Sequence, residues 1–172
     1  MTVEIIDNGL AEQVLRAQLG RARRAKITVG IHGDKTQRVD GDSLTNAQVG
    51  AFHEFGTATI PERPFLGGTF DNRRSQIGAF IDRAAVAILE GHATTEQALG
   101  QAAQSMAGEV QEYISDGIEP GLGPAAIEAR SKRLSGGKPA NNRFGGDKPL
   151  ILSGQLRQSI AGQVSVRGGG ES

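Results

Sequence analysis

The stretch Lys26-Ile-Thr-Val-Gly-Ile-His32 puts Ile27, Val29 and Ile31 on one face of an extended chain and polar or small side chains on the other. A period of two over seven residues is the pattern of a half-buried β-strand. Upstream, Leu10 to Arg23 carries Ala11, Val14, Leu15 and Leu19 at the spacing of one helical face. Still earlier, Val3 and Ile5 alternate with Thr2 and Glu4 as a short first strand would, before Asp7-Asn8-Gly9 breaks it. Downstream, the polar residues from Gly33 to Ser43 read as an exposed loop.

Two longer helices follow. Thr45 or Asn46 caps a short helix that runs through Phe55 and stops at Gly56. Pro61 and Pro64 remove two backbone donors, so Ile60-Pro-Glu-Arg-Pro-Phe65 cannot be regular helix or central strand. From Asn72 to Glu90, the series Ile77, Phe80, Ile81, Ala84, Ile88 predicts one long helix closed by Gly91. Thr94 and Gln97 have the spacing of a capping box and open a second one, with Leu99, Ala102, Ala103, Met106, Val110, Tyr113 and Ile114 on its stripe. Five of the six Phe lie between Phe52 and Phe80, so this region should supply much of the core, with Phe52 and Phe55 sharing a helix face.

Residues 118–149 hold four of the six prolines and few large apolar side chains, which predicts a flexible loop or arm. Leu150-Ile-Leu-Ser-Gly-Gln-Leu-Arg-Gln-Ser-Ile160 restores apolar character, with Ser153 as a helix cap, and Gln163–Arg167 alternates like a last strand. The expectation is a single α+β domain over residues 1–172: a small antiparallel sheet packed against two long helices, with a Pro/Gly-rich arm.

Composition narrows the function. Nineteen basic side chains balance nineteen acidic ones, whereas a protein that grips nucleic acid as its main work carries a basic excess. The absence of cysteine removes disulfides, thiolate metal sites and cysteine nucleophiles. No run nears the roughly 18 apolar residues of a membrane span, and Met1–Asp7 lacks the basic start and apolar run of a signal peptide. The chain is therefore expected in the cytosol where it is made, with no membrane partner.

No catalytic constellation emerges. His53-Glu54 has no second His four residues on, where Thr57 stands, and neither His32 nor His92 is at ligand spacing. A small metal-dependent hydrolase using His32, His53 and Glu54 is the alternative from another class. Asp34, Asp40 and Asp42 do not follow the EF-hand spacing. In the arm, Arg130, Lys132, Arg133, Lys138, Arg143 and Lys148 outnumber Glu119, Glu128 and Asp147, a local charge of +3. Simple solvation accounts for such a surface first; beyond that it suits an acidic protein partner or DNA, although it lacks aromatics for base stacking. The expectation is no enzyme, no cofactor and no metal.

Three segments together resemble the tailed-phage neck and tail-completion (virion-morphogenesis) family. They are Val29-Gly-Ile-His-Gly33; Thr45–Thr57 with Glu54-Phe55-Gly56 leading into Ile60-Pro61-Glu-Arg63-Pro64-Phe65-Leu66; and Lys148–Ile160, with Leu150, Gly154 and Leu156 in a Pro-Leu, Ser-Gly-x-Leu, Ser-Ile pattern. The resemblance covers roughly residues 10–167. It implies a virion subunit of the head–tail interface that assembles as a homo-oligomeric ring, a hexamer above all. Such a ring completes or terminates the tail tube, contacts the tail tube protein and the head-connector proteins, and lets DNA pass without reading its sequence. The alternative within the same machine is a head-closure or adaptor ring bound to the portal.

Overall fold

The computed structural model describes residues 9–33, 44–135, 148–151 and 154–167. It is an α+β fold with a small antiparallel sheet and helices packed on it. In chain order the elements are α1 (Leu10–Ala22), β1 (Ala25–Ile31), α2 (Asn46–Phe55), α3 (Phe65–Asn72), α4 (Arg74–Leu89), α5 (Thr95–Asp116), α6 (Pro124–Ser135), α7 (Gln155–Ser159) and β2 (Ile160–Val166). The expected strand at Val3–Ile5, most of the 33–43 loop, and Ser153 lie outside the described residues.

β1 and β2 pair antiparallel from Ala25↔Val166 to Ile31↔Ile160. α5 lies across both strands, with Ala102, Ala103, Met106, Ala107, Val110 and Ile114 buried. Its small side chains allow very close approach. A Cβ on Gly162 would sit 2.0 Å from the Ala103 carbonyl oxygen, so only glycine fits that strand position. Arg167 N donates to Arg24 O at 3.2 Å. This fixes the hydrogen-bond parity, so the backbone groups of Ile160 and Gly162 point away from β1. There Gln111 and Gln104 donate to their carbonyls at 3.1 and 3.0 Å. Part of the outer edge of β2 is thus closed by α5. By the same parity, the backbone groups of Ile27, Val29 and Ile31 point outward from β1.

The main core joins Phe65, Ala107, Val110, Ile114, Ile118, Leu150, Leu156 and Ile160. A second cluster, Ala84, Ile88, Ala98 and Ala102, seals α4 against α5. Both capping boxes form, with Thr45 accepting from Gln48 N and Thr94 from Gln97 N.

Several expectations are corrected. The aromatic segment does not dominate the core: Phe65 is 1% exposed, but Phe55 is 78% exposed and Phe70 also faces out. The tight α5–β2 contact leaves room mainly for aliphatic and Ala side chains. The helix expected over Asn72–Glu90 forms as α4, while a further helix the sequence did not announce, α3, precedes it from Phe65, the chain turning at Arg73 (φ −116°) between them. The 118–149 arm is not loop throughout. Pro124 opens α6, where proline lacks only a donor that the first turn would leave unused. α7 has Gly154 at its N-cap position (φ 72°). α1 forms as expected, but none of its side chains is buried. Leu10 and Val14 are 57% and 60% exposed, and a cleft of about 760 Å³ separates α1 from the α4–α5 turn. Among its polar ties, Gln18 accepts from Thr95 N at 2.9 Å and, through its backbone oxygen, from Thr95 Oγ1 at 2.8 Å, and Arg21 lies 3.9 Å from Glu96.

Candidate functional site

The segments Glu54–Leu66 and Leu150–Leu156, nearly a hundred residues apart, meet in one junction beside α5. Gly56 ends α2 with φ 69°, where a side chain would be strained and its Cβ would press on Glu62 N at 3.1 Å. Thr57 and Ile60 close the loop, with Thr57 N donating to Ile60 O at 2.8 Å and Ile60 N to Thr57 Oγ1 at 3.0 Å. The chain then runs back along α2, and Arg63 N donates to His53 O at 2.6 Å. Pro61 stays exposed, while Pro64 takes the N-cap position of α3.

Proline has no side-chain acceptor for the free amides of that helix start, and Glu54 supplies it. Its Oε2 accepts from Leu66 N and its Oε1 from Gly67 N, each at 2.8 Å. A carboxylate on two N-terminal amides also meets the positive end of the helix dipole. Phe65 and Leu66 are thereby aimed at the core, where Leu150 and Leu156 pack with them. Leu150 adopts φ 67°, an uncommon backbone for a branched residue, yet it is buried. Gly154 opens the short helix that carries Leu156.

Arg63 is 4% exposed. Its Nε donates to Pro120 O at 2.6 Å and its Nη2 to Gly121 O at 2.9 Å, tying the junction to the segment that follows α5. On the same side Arg130 donates to Lys148 O at 2.6 Å, Lys148 Nζ to Ser115 O at 2.5 Å and Arg157 to Ser115 Oγ at 3.0 Å. His53 lies among these cations. Burial first, then Arg63 and Arg130, push its imidazole down to about 4, so it is neutral at pH 7. Its Nδ1 is buried with no hydrogen-bond partner among the described residues, as is Arg157 Nε. Burial and the neighbouring Arg63 also lower the pKa of Arg130.

Across α5 the charges are arranged differently. Arg73, at the α3–α4 corner, bonds Glu109 at 2.7 Å, Glu112 at 2.9 Å and Asp116 at 2.5 Å, and lies over the Tyr113 ring. The hydrogen bonds to Glu109 chiefly, and those to Glu112, raise its pKa.

The residues of the hydrolase alternative are not assembled. His32 Nε2 is 3.2 Å from Ala161 O, Glu54 is occupied by α3, and the described residues contain no group of three or more metal-ligating side chains. Of the basic arm residues, Arg130 turns inward and Lys132 pairs with Glu128 at 2.7 Å. The Arg133 side chain, Lys138 and Arg143 lie outside the described residues. Among the described residues no helix is long and apolar enough to cross a membrane. Sequence reading missed Lys148, Arg157 and Ser115 as companions of Arg63 and Arg130. It also missed the Arg73 cluster, although Glu109, Glu112 and Asp116 stand at the i, i+3, i+7 spacing of one helix face.

No protein-family model matches the chain, and no curated protein or solved structure matches it.

Proposed function

We propose that the chain is a structural subunit of the tailed-phage head–tail junction. It would form a homo-oligomeric ring, a hexamer in the simplest case, that completes or terminates the tail tube and joins it to the head connector. The observation that carries this reading is the junction itself. The segments whose sequence resembles the neck and tail-completion family interlock physically, Glu54 capping α3 while Phe65, Leu150 and Leu156 share one core. A chance likeness between distant segments gives no reason for them to pack together.

The surface suits assembly. Leu10, Val14, Val86 and Leu89 are each about half exposed or more, on α1 and α4. With part of the β2 edge closed by Gln104 and Gln111, the outward backbone of β1 is the edge that a neighbouring strand would join. The partners in this reading are further copies of the chain, the tail tube protein and head-connector proteins, with DNA passing through the ring.

Particles made without this protein test the proposal. Full heads beside free tails of normal length assign a joining role, and overlong tails assign termination. Infectious particles of normal shape would overturn it. Negative-stain images of the purified protein count the subunits, and a twelve-fold ring would move it to the portal side.

A further inference from the structure

Arg63, Lys148 and Arg157 bond to residues 115–121 and Arg130 bonds to Lys148, and the acceptors they hold are neutral. Those acceptors are Pro120 O, Gly121 O, Lys148 O, Ser115 O and Ser115 Oγ. Among the described residues, the carboxylate that acts on Arg63 is Glu119, and its Oε2 already accepts from Gly121 N at 2.9 Å. Glu128, on the same helix as Arg130, is held by Lys132. Among the described residues, no ion pair to a carboxylate is formed by Arg63, Arg130, Lys148 or Arg157, whose hydrogen bonds go to these neutral oxygens. Arg73, on the other flank of α5, is one cation shared by three. Cations withdrawn from water without counter-charge are costly, and fixed guanidinium forks suit a planar carboxylate.

The geometry points to an oxyanion site at the α2–α6–α7 side of the junction, formed by Arg63, Arg130, Lys148 and Arg157, that takes a carboxylate from an acidic segment of a partner protein. Two observations besides the charge support it. Arg157 Nε, always a donor, is buried with no hydrogen-bond partner among the described residues, so donor capacity remains unused there, and the neutral His53 Nδ1 beside the cluster is likewise unpartnered. Arg63 is buried and Arg130 and Lys148 are half-buried, so these cations are partly withdrawn from solvent rather than displayed on the surface. A side-chain carboxylate on a flexible segment can approach partly withdrawn cations one at a time. The phosphates of a DNA duplex follow a stiff convex cylinder and are met by exposed cations. The site is independent of where in an assembly the chain sits.

The test uses the full chain, a hexaglutamate peptide and a 20-base-pair duplex as probes, with binding followed by titration calorimetry at physiological salt. The peptide should bind one to one. Arg130→Gln and Lys148→Gln should each weaken it tenfold or more, while Arg16→Gln, remote on α1, leaves it unchanged. Arg63 is avoided because its loss endangers folding, and Lys148→Gln carries the test should Arg130→Gln unfold. Absence of peptide binding overturns the proposal. So does equal affinity in the folded variants, or duplex DNA that binds more tightly than the peptide and depends on the same two residues.

Discussion

Gly162 and Ala103 bring two backbones into direct contact, strand β2 lying so near α5 that a single methyl group on Gly162 would overlap the Ala103 carbonyl. The obstacle is backbone on a helix locked by its own hydrogen bonds, so it cannot swing aside as a flexible side chain would. Gly162→Ala should therefore destabilise the protein by about 3 kcal/mol or more, at the upper end of overpacking costs. Gly30→Ala on the paired strand meets nothing within 4 Å and should stay within about 0.5 kcal/mol of wild type. Urea unfolding of both variants checks this, and equal midpoints would refute the proximity argument.

Removing the Glu54 carboxylate should cost about 1–2 kcal/mol, the range for losing a helix N-terminal cap. The amides of Leu66 and Gly67 would lose their acceptor, and amide exchange should speed up first at α3. Protection at those two amides that is unchanged in Glu54→Ala would contradict the capping role.

His53 links stability to acid. Its folded value of about 4 lies below the ordinary 6.5, so between those pH values the unfolded chain binds the extra proton. Stability from this group is complete above about pH 6.5 and is lost as the pH falls toward 4. Allowing for solvent screening at a half-buried ring, the loss is about 1–2 kcal/mol. Comparing urea midpoints at pH 7 and pH 4.5 for wild type and His53→Gln isolates the contribution. The variant should show the smaller drop, and parallel drops would remove His53 from the account.

Arg73→Met should cost about 2 kcal/mol, because Glu109, Glu112 and Asp116 would be left facing one another where Arg73 now joins them. Repulsion of that kind is screened, so the deficit should shrink in 1 M NaCl. A penalty that persists at high salt would mean that lost packing over Tyr113, rather than charge, is responsible.

Most of the secondary structure was legible because its causes are local. The capping boxes at Thr45 and Thr94 lie within three residues of their partners, and the alternation around Val29 is confined to one strand. The start of α3 was hidden, since its cap, Glu54, precedes Leu66 by twelve residues and reaches it only after the chain reverses at Gly56. α6 was masked by the prolines and glycines on either side of it. The Phe residues misled for a different reason: apolarity signals burial only where a partner surface exists, and α5 uses its alanines to meet β2. Of the candidate site, the signature residues could be named from the sequence. The convergence of Arg63 with Arg130, Lys148 and Arg157 could not, because the four are brought together by tertiary folding.

The clasp between Gln18 and Thr95 has a consequence for how the molecule opens. α1 has no fully buried side chain, so its detachment forfeits the three Gln18–Thr95 hydrogen bonds, the exposed Arg21–Glu96 pair and partial apolar cover. Its release is then a sub-global unfolding event with a free energy well below that of the α5–sheet core. Native-state hydrogen exchange should therefore register the α1 amides as a separate, faster unit than those of α5 and the sheet.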